Sequence, residues 1–246
     1  MGGTLDSLEA KDTGAFHKED KKVTAIIVAA GEGKRMRMSL PKPYLELNGT
    51  PILALTLQQF ERTKSVNEII LVVREEFIDY TKSNIVDKFG FKKISKIVKG
   101  GGRRQDSVKA GLDFAQHEIV LIHDGVRPFV TKKLITRIIN ECKRCGAAIP
   151  AIPVKETIKK VINGYVTCTL NRNELYSIQT PQAFKREILE KAYELDIDAT
   201  DSSSLVEKLD LKVKVIEGDP RNIKITNKED IEYGRVILKD WFNYNN

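Results

Sequence analysis

The run Val23-Thr24-Ala25-Ile26-Ile27-Val28-Ala29-Ala30 leads without a break into Gly31-Glu32-Gly33-Lys34-Arg35-Met36. A short, β-rich and almost wholly apolar run is the pattern of a strand covered on both faces, as strands of a parallel sheet are. A glycine-containing loop directly after it falls where open α/β sheets hold ligands, beyond the carboxyl ends of their strands.

The pattern repeats outward from there. Glu68 to Val73 and Glu118 to Ile122 read as further buried strands, and Ile94 to Val98 and Gly146 to Val154 as strands. Helical spacing separates them at Pro51 to Phe60, in the amphipathic stretch ending near Asp87, at Ser107 to Ala115 and at Lys132 to Cys145. Strands alternating with helices predict an α/β fold, a Rossmann-like and mostly parallel sheet flanked by helices. The rhythm breaks after Val154. Thr157 to Val161 and Tyr165 to Leu170 flank Asn163-Gly164, which predicts a β-hairpin arm within about 155–175. A lone hairpin is marginal in water, so the arm is expected to lean on a second subunit. Helices are expected near Phe184 to Tyr193, Ser202 to Lys208 and Glu229 to Phe242, with a strand at Val213 to Glu217. Residues 1–22 read as a flexible extension and 23–246 as a single domain.

The 246 residues carry a net charge of +7 and 41% hydrophobic residues, enough apolar content for a sizeable core. No apolar run approaches the roughly 20 residues that span a bilayer. Three cysteines, an odd number, and no secretory leader suggest a reducing cytoplasm. Cys142 and Cys145 form a C-x-x-C, but no second ligand pair lies at zinc spacing and the pair closes a helical pattern, so it reads as structural. The basic residues Lys34, Arg35, Arg37 and Lys42 crowd one glycine-containing loop, and Arg103 and Arg104 follow Gly100-Gly101-Gly102. Cations at glycine-rich loops point to phosphate ligands rather than to nucleic acid or membrane.

The first loop is neither of the two common phosphate loops. Val28 stands where a P-loop needs glycine, and Arg35 where it needs Ser or Thr. Met36 replaces the third glycine of a dinucleotide fingerprint. Small residues at 29–33 let backbone N–H groups approach a phosphate chain or base edge. Arg35 offers a planar fork and Lys42 a point charge for phosphate oxygens. Such a loop suits phosphoryl transfer, where catalysis rests on positioning and charge neutralisation. Asp124 directly follows a buried strand and is the best-placed carboxylate for a magnesium ion on the triphosphate. His123 beside it reads as a satisfied structural imidazole.

Taken in order, A-A-G-x-G-x-R-M…P-K, G-G-x-x-R-x-x-S-V, H-D-x-x-R-P, T-P-Q and N-I-K-I-T resemble the 2-C-methyl-D-erythritol 4-phosphate cytidylyltransferase family from Val23 to the C-terminus. The resemblance implies transfer of CMP from CTP to a small polyol phosphate, with magnesium and release of pyrophosphate. It implies that Arg35 and Lys42 stabilise the transition state and that Lys224 is a further catalytic contact. It assigns Ala29, Ala30, Gly31, Gly33, Gly101, Gly102, Ser107 and Asp124 to CTP. It assigns Asp124, Arg127, Thr157, Arg172, Thr180 and Lys224 to the sugar phosphate, with Thr157 and Arg172 reaching the partner's site from the arm of a homodimer. Gly102 stands where some relatives carry an acid, so ribose contacts there are expected from backbone alone. Thr200-Asp201-Ser202-Ser203-Ser204 departs from the family pattern too, but should still start a helix, capped by Asp201 or Ser202.

A ribitol 5-phosphate cytidylyltransferase resembles the chain at nearly every motif and is the nearest alternative. An RNA-binding module would need aromatic platforms, and the chain has one Trp. A nicotinamide dehydrogenase would need a ribose-binding acid after the second strand, where Val73 leads into Arg74.

Overall fold

The computed structural model describes residues 22–31 and 40–244. Strand β1 is Val23–Val28, followed by the two-residue strands β2 (Glu46–Leu47) and β3 (Thr50–Pro51) and by helix α1 (Ile52–Glu61). Then come β4 (Glu68–Val73), the short α2 (Ile78–Thr81), β5 (Ile94–Lys99), α3 (Arg104–Leu112), β6 (Ile119–Asp124) and α4 (Lys132–Cys145). The second half contains β7 (Ala147–Pro153), β8 (Lys159–Ile162), β9 (Tyr165–Thr169), β10 (Tyr176–Ile178) and β11 (Gln182–Lys185). Helices α5 (Arg186–Glu194) and α6 (Ser202–Glu207), strand β12 (Lys214–Glu217) and helix α7 (Lys228–Tyr244) complete it.

One sheet runs in the order β10-β7-β11-β6-β1-β4-β5, with β12 on the other edge of β7. Strands β1, β4, β5 and β6 are mutually parallel, β12 is parallel to β7, and β10 and β11 run against their neighbours. Side chains of a strand alternate between faces. Ala25 and Ile27 of β1, with Leu121 of β6 and Leu71 of β4, pack under α1 and α4, which contribute Leu57, Phe60, Ile135 and Ile139. Ile26, Ile122 and Val72 point the other way, to Val108 of α3, Leu189 of α5 and Val206 of α6. Both faces being covered explains why these strands read as continuous apolar runs. A third cluster joins α7 to the loops beside the sheet end through Leu47, Phe129, Ile225 and Trp241.

The chain leaves β1 toward β4 and β5, then returns to place β6 on β1's opposite edge. This reversal opens a crevice at the carboxyl ends of β1 and β6. Val28 lies beside Asp124 in the register, and the Gly125 N–H donates to the Val28 carbonyl at 2.8 Å.

Local signals set the helix ends. The Thr131 hydroxyl accepts from the Leu134 N–H at 3.1 Å and starts α4, and Gly146 at φ +88° ends it. Asp201 caps α6, accepting from the Ser204 N–H at 3.0 Å. Helix α3 begins at Arg104, earlier than the apolar spacing predicts, because Asp106 reaches back to the Arg103 N–H at 3.0 Å. The clearest departure is at 176–185. Apolar spacing there reads as a helix from Phe184, whereas Gln182–Lys185 is a strand wedged between β6 and β7, with Ala183 and Phe184 fully buried. A vacant edge of the sheet, invisible in local spacing, decides this. The hairpin forms as β8 and β9, paired only with each other and exposed along both strands. Of the expected extension at 1–22, only Lys22 is among the described residues.

Candidate active site

Two cavities meet at the crevice. The larger, of about 590 Å³, lies between the β1 end (Val28 to Gly31), Lys42, the β5 end (Lys99 to Gly102) and the start of α3. Its walls come close because of glycine. A Cβ on Gly100 would stand 2.3 Å from the Ala30 Cβ and 2.8 Å from the Ser107 Oγ, and one on Gly101 would stand 2.3 Å from the Asp106 Cβ. Gly102 is different: a Cβ there would meet nothing within 4 Å. The Gly101 N–H donates to the Ser107 Oγ at 3.1 Å, which ties the glycine loop to α3. Lys42 donates from Nζ to the Thr226 carbonyl at 2.5 Å. That turn is in turn fixed by Asp230, whose Oδ2 accepts from the Thr226 N–H, the Thr226 hydroxyl and the Asn227 N–H.

The smaller cavity, of about 410 Å³, lies beside Arg127, Thr180, Gln182 and the start of α6. Arg104, Asp124 and Lys224 line both cavities. Asp124 is the centre of this junction. Its Oδ1 accepts from Arg104 Nε at 3.1 Å and forms an ion pair with Arg104 Nη2 at the same distance, and its Oδ2 pairs with Lys224 Nζ at 2.9 Å. Arg127 Nε stands 3.5 Å from Oδ2, and Arg127 Nη1 donates to the Asn222 carbonyl at 2.8 Å. Burial alone would raise the Asp124 pKa, but Arg104, Lys224 and Arg127 together hold it far below the usual carboxylate range.

Beneath the junction lies a polar layer built by β6 and the 179–182 segment. His123 is fully buried, with Nε2 at 3.0 Å from the Arg127 carbonyl and Nδ1 at 2.9 Å from the Thr180 hydroxyl. A carbonyl can only accept, so Nε2 carries the proton and the Thr180 O–H donates to Nδ1. Burial pushes the His123 pKa down to about 3. The Thr180 oxygen also accepts from the Asp124 N–H at 3.2 Å. The hydroxyl that the sequence assigns to the sugar phosphate has its one proton engaged with His123, and its oxygen also fixes the Asp124 backbone. The Thr180 carbonyl accepts from Asn222 Nδ2 at 2.8 Å, which links this layer to the 222–226 segment.

Of the residues singled out in the sequence, Ala29, Ala30, Gly31, Lys42, Gly101, Gly102, Ser107, Asp124 and Lys224 line the larger cavity, and Arg127 and Thr180 line the smaller. Thr157 and Arg172 are exposed on the arm and line neither. Arg172 Nη1 donates to the Lys155 carbonyl at 3.0 Å. Gly33 and Arg35 lie outside the described residues. Sequence reasoning named Arg104 only as a cation beside the glycine loop and gave it no site role, although it is the arginine of the G-G-x-x-R pattern. Among the described residues, no group of three His, Cys, Asp or Glu side chains could cage a metal. Nor is any helix among them long and apolar enough to cross a membrane.

A glycine-walled cavity at the carboxyl ends of parallel strands, joined through a cationic junction to a second cavity, defines a nucleotidyltransferase of the α/β class. The chain belongs to the 2-C-methyl-D-erythritol 4-phosphate cytidylyltransferase family, whose profile matches residues 23–240. It is 44% identical over 225 residues to the enzyme of that name from Syntrophus aciditrophicus, covering 89% of this chain and 96% of the relative. It is 46% identical over 224 residues to the one from Alkaliphilus metalliredigens, covering 88% and 93%. The crystal structure of 4-diphosphocytidyl-2C-methyl-D-erythritol synthase from Anaerococcus prevotii matches with a TM-score of 0.80 at 38% identity, over 89% of this chain and 97% of that one.

Proposed function

We propose that this protein transfers the cytidylyl group of CTP to 2-C-methyl-D-erythritol 4-phosphate, giving 4-diphosphocytidyl-2-C-methyl-D-erythritol and pyrophosphate. The observation that carries this reading is the pair of cavities meeting at Arg104, Asp124 and Lys224 in a chain of this family. The larger suits a nucleoside triphosphate and the smaller a polyol phosphate. A monoester oxygen attacks the α-phosphorus of CTP, a new P–O bond forms, and the bond to the leaving pyrophosphate breaks. The attacking phosphate is largely dianionic at neutral pH, with a second pKa of about 6, so no general base is needed. Neutral, buried His123 fits that absence.

Lys42 and Arg35 neutralise charge on the triphosphate as it builds in the transition state, and Lys224 steadies the reacting phosphates. The backbone of Ala29, Ala30, Gly31, Gly33, Gly101 and Gly102, with Ser107, receives the nucleoside. Enzymes of this class commonly use a metal ion on the triphosphate. Magnesium fits here because it favours phosphate oxygens and water with one or two carboxylates. Asp124, whose oxygens already meet Arg104 and Lys224, would hold it through water, and the ion would shield the triphosphate charge.

Residues 23–246 act as one domain that pairs through the arm as a homodimer, in which Thr157 and Arg172 serve the partner's sugar phosphate. Exposed Val161, Ile162, Tyr165 and Val166 on an otherwise unsupported hairpin favour that pairing. The cysteine usage favours the cytoplasm. The test is pyrophosphate release with CTP and magnesium, run in parallel with methylerythritol 4-phosphate and ribitol 5-phosphate. Release with the first alone is expected. Release only with the second would overturn the substrate assignment, and silence with both would overturn the activity.

A further inference from the structure

We infer that Arg104 is a direct ligand of the attacking phosphate of the sugar substrate, acting with Lys224 as one of two cations that hold that dianion at the junction. The inference rests on the functional reading above and assigns a substrate contact to a residue outside the inherited set.

Consecutive arginines follow the glycine loop, and the structure separates their roles. Arg103 commits its guanidinium to Asp106 at 2.7 Å and Asp198 at 2.6 Å, on the exposed side of α3. Arg104 instead turns to Asp124, through Nε and Nη2. That contact leaves Nη1 and the second Nη2 proton of the guanidinium, which has five N–H donors in a fixed fork. Arg104 lines both cavities, so the donors that Asp124 does not engage are open to a ligand at the wall the two share.

Charge counting points the same way. Arg104, Arg127 and Lys224 surround a single carboxylate, so the junction carries a net charge of +2. A phosphate monoester carries about −1.5 to −2 at neutral pH, which closes the balance. Arg127 is the least available of the three: its side chain is 12% exposed and its Nη1 already serves the Asn222 carbonyl. Arg104 and Lys224, at 27% and 39%, are the cations an entering phosphate meets. The triphosphate has other partners, since Lys42, Lys99 and Arg74 line the larger cavity and not the smaller. Asp124 then acts as the hub on which Arg104 and Lys224 converge, one on each carboxylate oxygen.

The variants are Arg104→Gln, which keeps a donor and loses the charge, and Arg104→Lys, which keeps the charge and loses the fork. For Arg104→Gln, KM for methylerythritol 4-phosphate should rise about 10- to 100-fold, the worth of a charge-assisted contact. KM for CTP should move less than about threefold, which also shows that the variant is folded. Arg104→Lys should recover part of the loss. A second readout does not depend on turnover. Inorganic phosphate titrated into CTP-saturated protein without sugar phosphate should bind Arg104→Gln at least about tenfold more weakly than the wild type. Equal phosphate affinity, or a loss that falls equally on CTP and sugar phosphate, would overturn the inference. A wild type that releases no pyrophosphate would instead sink the functional reading, and the phosphate titration would still judge Arg104.

Discussion

The Asp124 junction and the β8–β9 arm differ in what holds each of them in place. At the junction, the sheet register and the buried His123–Thr180–Asp124 layer fix a carboxylate that is only 8% exposed, and three cations converge on it. Along the arm, every residue of both strands is exposed and the strands pair only with each other. The junction is pre-organised within one chain, so its charges act in a partly dry, rigid setting where electrostatics is strong. The arm has no core beneath it and can be rigid only when something packs against it. The junction is therefore held by its own chain, whereas the arm would complete a site only under the pairing proposed above.

Four experiments press on that contrast. The largest effect is expected at the junction, where Asp124→Asn keeps the shape but removes the hub charge from three converging cations. Turnover should fall about 100- to 1000-fold, as when one pre-organised electrostatic group is lost. A drop under tenfold in steady-state kinetics would mean that the cations need no hub.

For the arm, the informative measurement is complementation. Arg172→Ala and Lys42→Ala homodimers should each be nearly inactive. Mixing and re-annealing them should restore activity, because one site of each heterodimer then has both residues intact. No recovery in a mixed dimer verified by sedimentation would confine Arg172 to its own chain.

A smaller effect comes from His123. Its folded pKa is depressed to about 3 from an ordinary 6.5, so the unfolded chain takes up a proton first as pH falls. The stability linked to it is fully present above about pH 6.5 and is lost as pH falls toward about 3. Between pH 7 and 5 the loss should be roughly 2 kcal/mol. Denaturant melts of His123→Gln should show a flatter slope over that range. An unchanged slope would assign the acid sensitivity to other groups.

The smallest effect is expected at Gly102→Ala, since a Cβ there meets nothing within 4 Å. Stability should stay within about 0.5 kcal/mol of wild type. Gly100→Ala should be clearly destabilised by comparison, because of the 2.3 Å approach to Ala30. Equal melting temperatures would mean that the loop moves freely off β1.

The amino-acid sequence by itself determined the parallel core, because strands covered on both faces must be apolar at every position, as Ile26, Ile27, Leu71 and Leu121 are. It determined the ends of α4, because Thr131 and Gly146 act on their own neighbours. It also marked the glycine loop after β5, where Gly101 answers the nearby Asp106, although the tightest demand on Gly100 comes from distant Ala30. What only the tertiary structure decided are the choices that depend on distant partners. Gln182–Lys185 became a strand because β6 and β7 left an edge between them. Of two adjacent arginines, Asp106 and Asp198 hold Arg103 while Asp124 takes Arg104. Thr180 became a buried link because His123, 57 residues away in sequence, takes its proton. Side-chain charge and hydrogen-bond capacity are written in each residue, but the partner that uses them is chosen only when the sheet brings the chain together.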